Sequence, residues 1–167
     1  MIKTDIAWVD LAASFIGVKE IPGPKSNEQI LKFLKGISSN EDTPWCAAFV
    51  NYCLVQTNYK GSGSAMARSF ETSKNFTHYT EYVPGSIVTR YRGEKAKGFG
   101  HVGFAVGQRK GAVAFLGGNQ GDAVSVSWQP VEFITGYHWP VGAPLTRLSD
   151  DLQKQFIAMS NSDTRMT

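Results

Sequence analysis

The sequence predicts an α+β domain, with helices first and an antiparallel sheet of about five to six strands after them. Three observations carry this. Up to about residue 75 the apolar residues recur at helical spacing. From about residue 82 the pattern becomes short apolar runs of period two, separated by turn residues. The chain of 167 residues is 42% hydrophobic and 12% aromatic, with 17 glycines and 19% charged residues, enough apolar mass for a packed core and too little charge for a disordered chain. Helices followed by strands, without alternation, is an α+β order. One domain over residues 1–145 and a helical tail over 146–167 are expected.

The elements follow in order. Ile6, Val9, Ala13 and Ile16 mark an amphipathic helix over 5–16, with Thr4 as N-cap and Gly17 as its stop. The loop Lys19-Glu20-Ile21-Pro22-Gly23-Pro24 precedes a second helix over 26–34, where Ser26 and Gln29 have capping-box spacing. A polar loop over 38–43 leads to a third helix with Pro44 in its first turn and Asp42 or Thr43 as cap. Gly61-Ser62-Gly63-Ser64 reads as a loop inside 58–75, followed by a short helix through Ala67, Phe70 and Lys74. Strands are predicted over 86–91, 101–108, 112–116, 124–128 and 133–138, with Arg109-Lys110-Gly111 as a hairpin turn. A last amphipathic helix lies within 145–159.

Bulk properties exclude several function classes. The net charge of +3 is a mild basic bias that suits an anionic partner such as a bacterial wall, and equally an ordinary soluble protein. The basic residues are scattered, and no phosphate loop, dinucleotide fingerprint or nucleic-acid motif occurs, so no nucleic acid is expected. No segment approaches the ~18 apolar residues of a membrane span, and no signal-peptide core follows Met1. The chain is expected to be made in the cytoplasm and to reach any other compartment by release or delivery. Cys46 and Cys53 lie on one predicted helix, about 10 Å apart at ~1.5 Å rise per residue. A disulfide needs under ~7 Å, so the thiols should stay unpaired. His78 and His138 have no metal-ligating neighbours at suitable spacing; His78 should be exposed in a loop and His138 partly packed at a strand end. No metal and no cofactor are expected.

Three short segments carry chemistry. They are Thr43-Pro44-Trp45-Cys46-Ala47-Ala48-Phe49, Gly98-Phe99-Gly100-His101-Val102-Gly103-Phe104 and Leu116-Gly117-Gly118-Asn119-Gln120. A cysteine at a helix start meets unpaired backbone N–H groups, which favour its thiolate and can receive an oxyanion. An imidazole beside it can take the thiol proton and return it to a leaving amine. A third polar residue must orient that imidazole, and the Asn119 side-chain carbonyl can do so. Taken singly, each has a bland reading: a small buried thiol, a strand-end histidine, a turn asparagine. Their joint occurrence, in this order and these contexts, points to a Cys-His-Asn site. Cys53, with no base or cap nearby, reads as an inert core thiol.

These segments resemble the signatures of papain-like peptidoglycan hydrolases of the NlpC and CHAP type, particularly a small single-domain subgroup of phage and bacterial genomes. The resemblance covers roughly Trp8 to Pro140 and includes Gly17-Val18-Lys19-Glu20-Ile21-Pro22-Gly23 and Asn27. It implies a papain-like fold, Cys46 as nucleophile, His101 as general base and acid, and Asn119 as the residue orienting His101. It also implies cleavage of an amide bond in peptidoglycan peptides. Two positions depart from the pattern. Many relatives have Gly-Asp where this chain has Gly85-Ser86, and the CHAP pattern often has Glu two residues before the Asn, where this chain has Gly117.

Other residues have two readings each. Trp45 could line the substrate groove or cover the core, and Gln120 could bind substrate or shape a turn. Glu20 and Asn27 border the cleft or hold a loop. Asp122 is a second candidate orienter for His101. The expected activity is a cysteine endopeptidase, with N-acetylmuramoyl-L-alanine amidase next, in a phage lysin or an antibacterial effector. A monomer is expected, whose partners would be peptidoglycan, a delivery machine and an immunity or inhibitor protein. The competing reading is a non-catalytic wall-binding or virion-structural module on the same fold.

Overall fold

The computed structural model describes residues 2–21, 27–37 and 44–160. Among the described residues three α-helices precede the sheet: α1 (Ala7–Ser14), α2 (Glu28–Leu34) and α3 (Cys46–Gln56). Six strands follow: β1 (Phe76–Tyr79), β2 (Ile87–Tyr91), β3 (Gly100–Arg109), β4 (Ala112–Gly117), β5 (Ser125–Pro130) and β6 (Ile134–Pro140). The helix α4 (Asp150–Ala158) comes last. The strands form one antiparallel sheet in the order β1-β6-β2-β3-β4-β5. The α+β layout expected from the sequence is therefore the observed one.

Helix ends depart from expectation for local reasons. The N-cap of α1 is Ile6, not Thr4, because the Thr4 hydroxyl is already used in a turn, accepting the Ile6 N–H at 2.9 Å. The cap of α2 is Asn27, whose side chain accepts the N–H groups of Gln29 at 2.8 Å and Ile30 at 3.4 Å. Ser26, and with it the expected capping box, lies outside the described residues, as do Asp42 and Thr43. The strand β1 was not expected. It is a four-residue edge strand whose pattern is mostly polar, held by pairing with β6 from Phe76↔Pro140 to Tyr79↔Tyr137.

The core joins helices to sheet through aromatic contacts. Phe33 of α2 packs edge-on against Phe15 at 5.1 Å, Phe49 at 5.2 Å and Tyr52 at 5.2 Å between ring centres. Phe49 continues to Phe104 of β3 at 6.4 Å. Helix α3 is buried from Cys46 through Asn51, and again at Cys53 and Leu54, so it is the central helix of the fold. Its buried Asn51 reaches out to the 58–64 loop. The Asn51 Nδ2 donates to Ser64 O at 3.0 Å, and its Oδ1 accepts the Ser62 N–H at 2.7 Å. A Cβ at Gly61 would overlap that Oδ1, so a side chain there would force the Asn51 amide or the loop to shift.

The C-terminal helix also packs on the body. Phe156 and Leu148 are buried, Tyr82 Oη donates to Gln153 Oε1 at 2.7 Å, and Trp128 Nε1 donates to Ser160 Oγ at 3.0 Å. His138 is fully buried in β6, more so than expected. Its Nε2 lies 2.8 Å from Thr89 Oγ1 and its Nδ1 2.8 Å from His78 Nδ1. The line continues from Thr89 to Thr135 at 2.7 Å and from Thr135 to Glu71 at 2.7 Å, tying three strands to the 67–71 turn of 3-10 helix. His78 is exposed as expected, though in β1 and not in a loop. Among the described residues no helix is long and apolar enough to cross a membrane.

Candidate active site

Cys46 is the first residue of α3. The N-cap, Trp45, supplies no side-chain hydrogen bond, so the first N–H groups of the helix are left for another acceptor. The amides of Val102, Ala47 and Cys46 itself reach the sulfur and favour its anion, as does the Arg92 guanidinium. Burial opposes them and wins: the thiol is held above its usual value. Val102 follows His101 in β3, so the sulfur lies against the strand that carries the imidazole. Cys46 and Cys53 are both free thiols, and Cys53 is completely buried with burial alone pushing it up.

His101 sits in the second position of β3, opposite Arg90 of β2, and its ring stacks on Phe115 of β4 at 5.8 Å. Its Nε2 lies 2.8 Å from Oε1 of Gln120. The orientation of that amide follows from its other contacts. Gln120 Nε2 donates to Phe115 O at 3.1 Å and Ser125 O at 2.7 Å, so both of its hydrogens go to carbonyls. Oε1 is thereby an acceptor, and the nitrogen facing it must carry the ring proton. His101 is held as the Nε2–H tautomer, with Nδ1 left as a lone pair. Burial lowers its pKa to about 4; the Gln120 hydrogen bond opposes this, and Arg92 and Arg90 add to it.

The partner of His101 is therefore Gln120, where the sequence reading assigned Asn119. The reason lies in the turn. Asn119 adopts a left-handed conformation, φ 58°, and it is the next residue, Gln120, whose side chain meets the His101 ring. Gly117 gives it room: a Cβ there would stand 2.9 Å from Gln120 Oε1. The position where the CHAP pattern often has a glutamate is thus glycine, and the space is filled by the glutamine three residues later. Gln120 is buried and committed to His101, so it is not an exposed substrate contact. Asp122 is exposed and its backbone carbonyl accepts the Glu20 N–H at 2.8 Å, while the His101 Nε2 contact is made by Gln120.

Trp45 belongs to the core. It is 1% exposed and stacks on Phe33, and a Cβ at Gly118 would stand 2.6 Å from its ring. Its Nε1 donates to Glu20 Oε1 at 2.6 Å. The groove-lining reading of Trp45 gives way to a bracing one, because the 117–118 turn presses on the ring from above. Residues 17–20 run along the 122–124 segment, with Val124 N–H donating to Val18 O at 2.8 Å and Gly17 N–H to Val124 O at 3.0 Å. Asn27 caps α2 and donates to Lys19 O at 2.8 Å. Glu20 and Asn27 thus hold the N-terminal segment against the Gln120 turn.

Arg92 was not singled out from the sequence. Its signal was weak, one basic residue among 17, but it stands in Tyr91-Arg92-Gly93 just before the loop that leads to His101. No group of three or more metal-ligating side chains occurs among the described residues. A cleft between α2 and α3, lined by Lys32, Phe33, Ile37, Tyr52 and Val55, contains neither Cys46 nor His101.

Residues 38–119 match the model of the CHAP domain family. No curated protein and no solved structure matches the chain. The match begins before α3 and ends at Asn119, so it takes in Cys46 and His101 and stops one residue short of Gln120. A buried cysteine at a helix start, an imidazole fixed in one tautomer on the adjoining strand, and this match agree: residues 38–119 are similar to the CHAP domain, consistent with a peptidoglycan hydrolase of the CHAP/NlpC type.

Proposed function

We propose that the protein is a cysteine hydrolase that cuts an amide bond in the peptide part of bacterial peptidoglycan, with Cys46 as nucleophile, His101 as general base and acid, and Gln120 as the residue positioning His101. The observation that carries this is the tautomer of His101. Gln120 takes the Nε2 proton, which leaves Nδ1 free to accept the thiol proton of Cys46. The sulfur then attacks the carbonyl carbon, and the amides at the start of α3 receive the oxyanion. His101 returns the proton to the nitrogen as the C–N bond breaks, and the amine leaves. Water, deprotonated by His101, hydrolyses the thioester and restores the thiol.

An endopeptidase is the favoured activity, with N-acetylmuramoyl-L-alanine amidase next. The chain would act as a monomer at the wall, as a lysin or as a delivered effector held in check by an immunity protein. Mass spectrometry of digested wall decides the bond. A split stem peptide or cross-bridge means endopeptidase, and a free lactoyl group with its peptide released means amidase. Cys46→Ala is expected to abolish release. If that variant and iodoacetamide-treated protein both still release product, the thiol mechanism is wrong.

One observation favours a second reading. Cys46 is 5% and His101 1% exposed, so the pair is closed in this conformation, as it would be in a wall-binding or virion module that kept the fold without the reaction. Wild-type protein that binds peptidoglycan and releases nothing would establish that reading.

A further inference from the structure

Arg92 and Arg90 stand two residues apart, and their surroundings differ sharply. Arg90 is fully engaged. Its Nη1 donates to Gln129 Oε1 at 2.9 Å, its Nε to Tyr91 O at 3.0 Å, and its guanidinium lies 4.5 Å from the centre of the Phe133 ring. Arg92 has none of this. Its Nε is buried and has no hydrogen-bond partner. The ion pairs of the described residues are Arg68–Glu71 and Lys97–Glu94, so neither nearby acid serves Arg92.

The backbone places this cation at the site. The Arg92 N–H donates to Phe99 O at 2.9 Å, one step beyond the Tyr91↔Gly100 pair of the β2–β3 ladder. Arg92 therefore borders the start of β3, next to His101. Its charge acts on both the Cys46 sulfur and the His101 ring. Phe99, its ladder partner, is 66% exposed, so the same rim presents an aromatic face to solvent.

A buried donor without an acceptor is costly, and a partly desolvated guanidinium without an anion more so. Such a group persists where a ligand supplies what the protein withholds. The planar fork of donors matches a carboxylate. We propose that Arg92 is the receptor for a substrate carboxylate that lies beside the scissile amide. This rests on the hydrolase reading above. A peptide in which a dicarboxylic residue is linked through its side chain keeps such a free α-carboxylate, and wall peptides are of that kind.

The test compares matched muropeptides that contain the bond cut in the wall digest. One has a free α-carboxylate on the residue next to that bond, and the other a carboxamide. Wild-type protein is expected to prefer the carboxylate form by on the order of 10- to 100-fold in kcat/KM, mostly through KM. Arg92→Gln should bring that ratio close to one, and Arg92→Lys should keep part of it, with thermal melting run to show that both variants fold. Equal use of the two forms by the wild type overturns the proposal while leaving the hydrolase reading intact. So does a fall in kcat for both forms in Arg92→Gln, with a shifted pH dependence of Cys46 alkylation, since that assigns Arg92 to the thiolate. If the wild type cuts no bond in wall at all, the hydrolase reading fails and this proposal fails with it.

Discussion

Cys46 and His101 are each shifted away from the charged form, the thiol upward and the imidazole down to about 4. Both shifts favour a neutral thiol and a neutral imidazole over a preformed ion pair. Alkylation of Cys46 by iodoacetamide should rise with pH through the neutral and alkaline range; a rate that is flat and high below pH 6 would contradict this. The second residue-scale prediction separates Gln120 from Asn119. Only Gln120 fixes the His101 tautomer, so Gln120→Ala should lower kcat by about tenfold or more beyond the effect of Asn119→Ala. Steady-state kinetics on a wall peptide reads this, and the reverse order would restore Asn119 as the orienter. Side-chain chemistry alone points to Asn119, whereas the turn, with Asn119 in the left-handed region, leaves Gln120 as the residue that meets the ring.

At the scale of elements, two loops lie directly on side chains at the start and middle of α3. The 117–118 turn lies directly on Trp45, and the 58–64 loop is pinned by Asn51 of α3. Gly61→Ala should therefore destabilise the protein by about 1–3 kcal/mol, because the methyl group and the Asn51 amide claim one space. Urea unfolding at pH 7 measures it, and an unchanged midpoint would show that the loop can move aside. The helices α1 to α3 and five of the six strands were legible as periodic patterns. The strand β1 was not, since Phe-Thr-His-Tyr acquires strand geometry only from its pairing with β6.

At the scale of the molecule, burial sets both stability and its pH dependence. Phe156 of α4 is fully buried, so Phe156→Ala should cost about 3–5 kcal/mol, read as a shift of the unfolding midpoint. A cost under about 1 kcal/mol would mean that α4 is a dispensable appendage. His101 and His138 are both lowered from 6.5 to about 4, in each case chiefly by burial, with His78 adding to the effect at His138. The folded protein then binds fewer protons than the unfolded chain between these values. Their contribution is complete above about pH 6.5 and is lost as pH falls toward 4. Unfolding at pH 7.5, 5.5 and 4.5 should show falling stability, and His138→Gln should flatten part of the slope. A protein as stable at pH 4.5 as at 7.5 would contradict the assignment.

Local patterning determined the order of helices and strands, and the spacing of three motifs named Cys46 and His101, because periodicity and helix-start chemistry are properties of neighbouring residues. Tertiary structure decided the rest. It chose Gln120 over Asn119, placed Trp45 in the core and left Arg92 without a partner beside the sulfur. Each of those depends on which side chains meet across the sheet, where burial and the last free hydrogen-bond acceptor settle the outcome, and sequence distance carries no record of either.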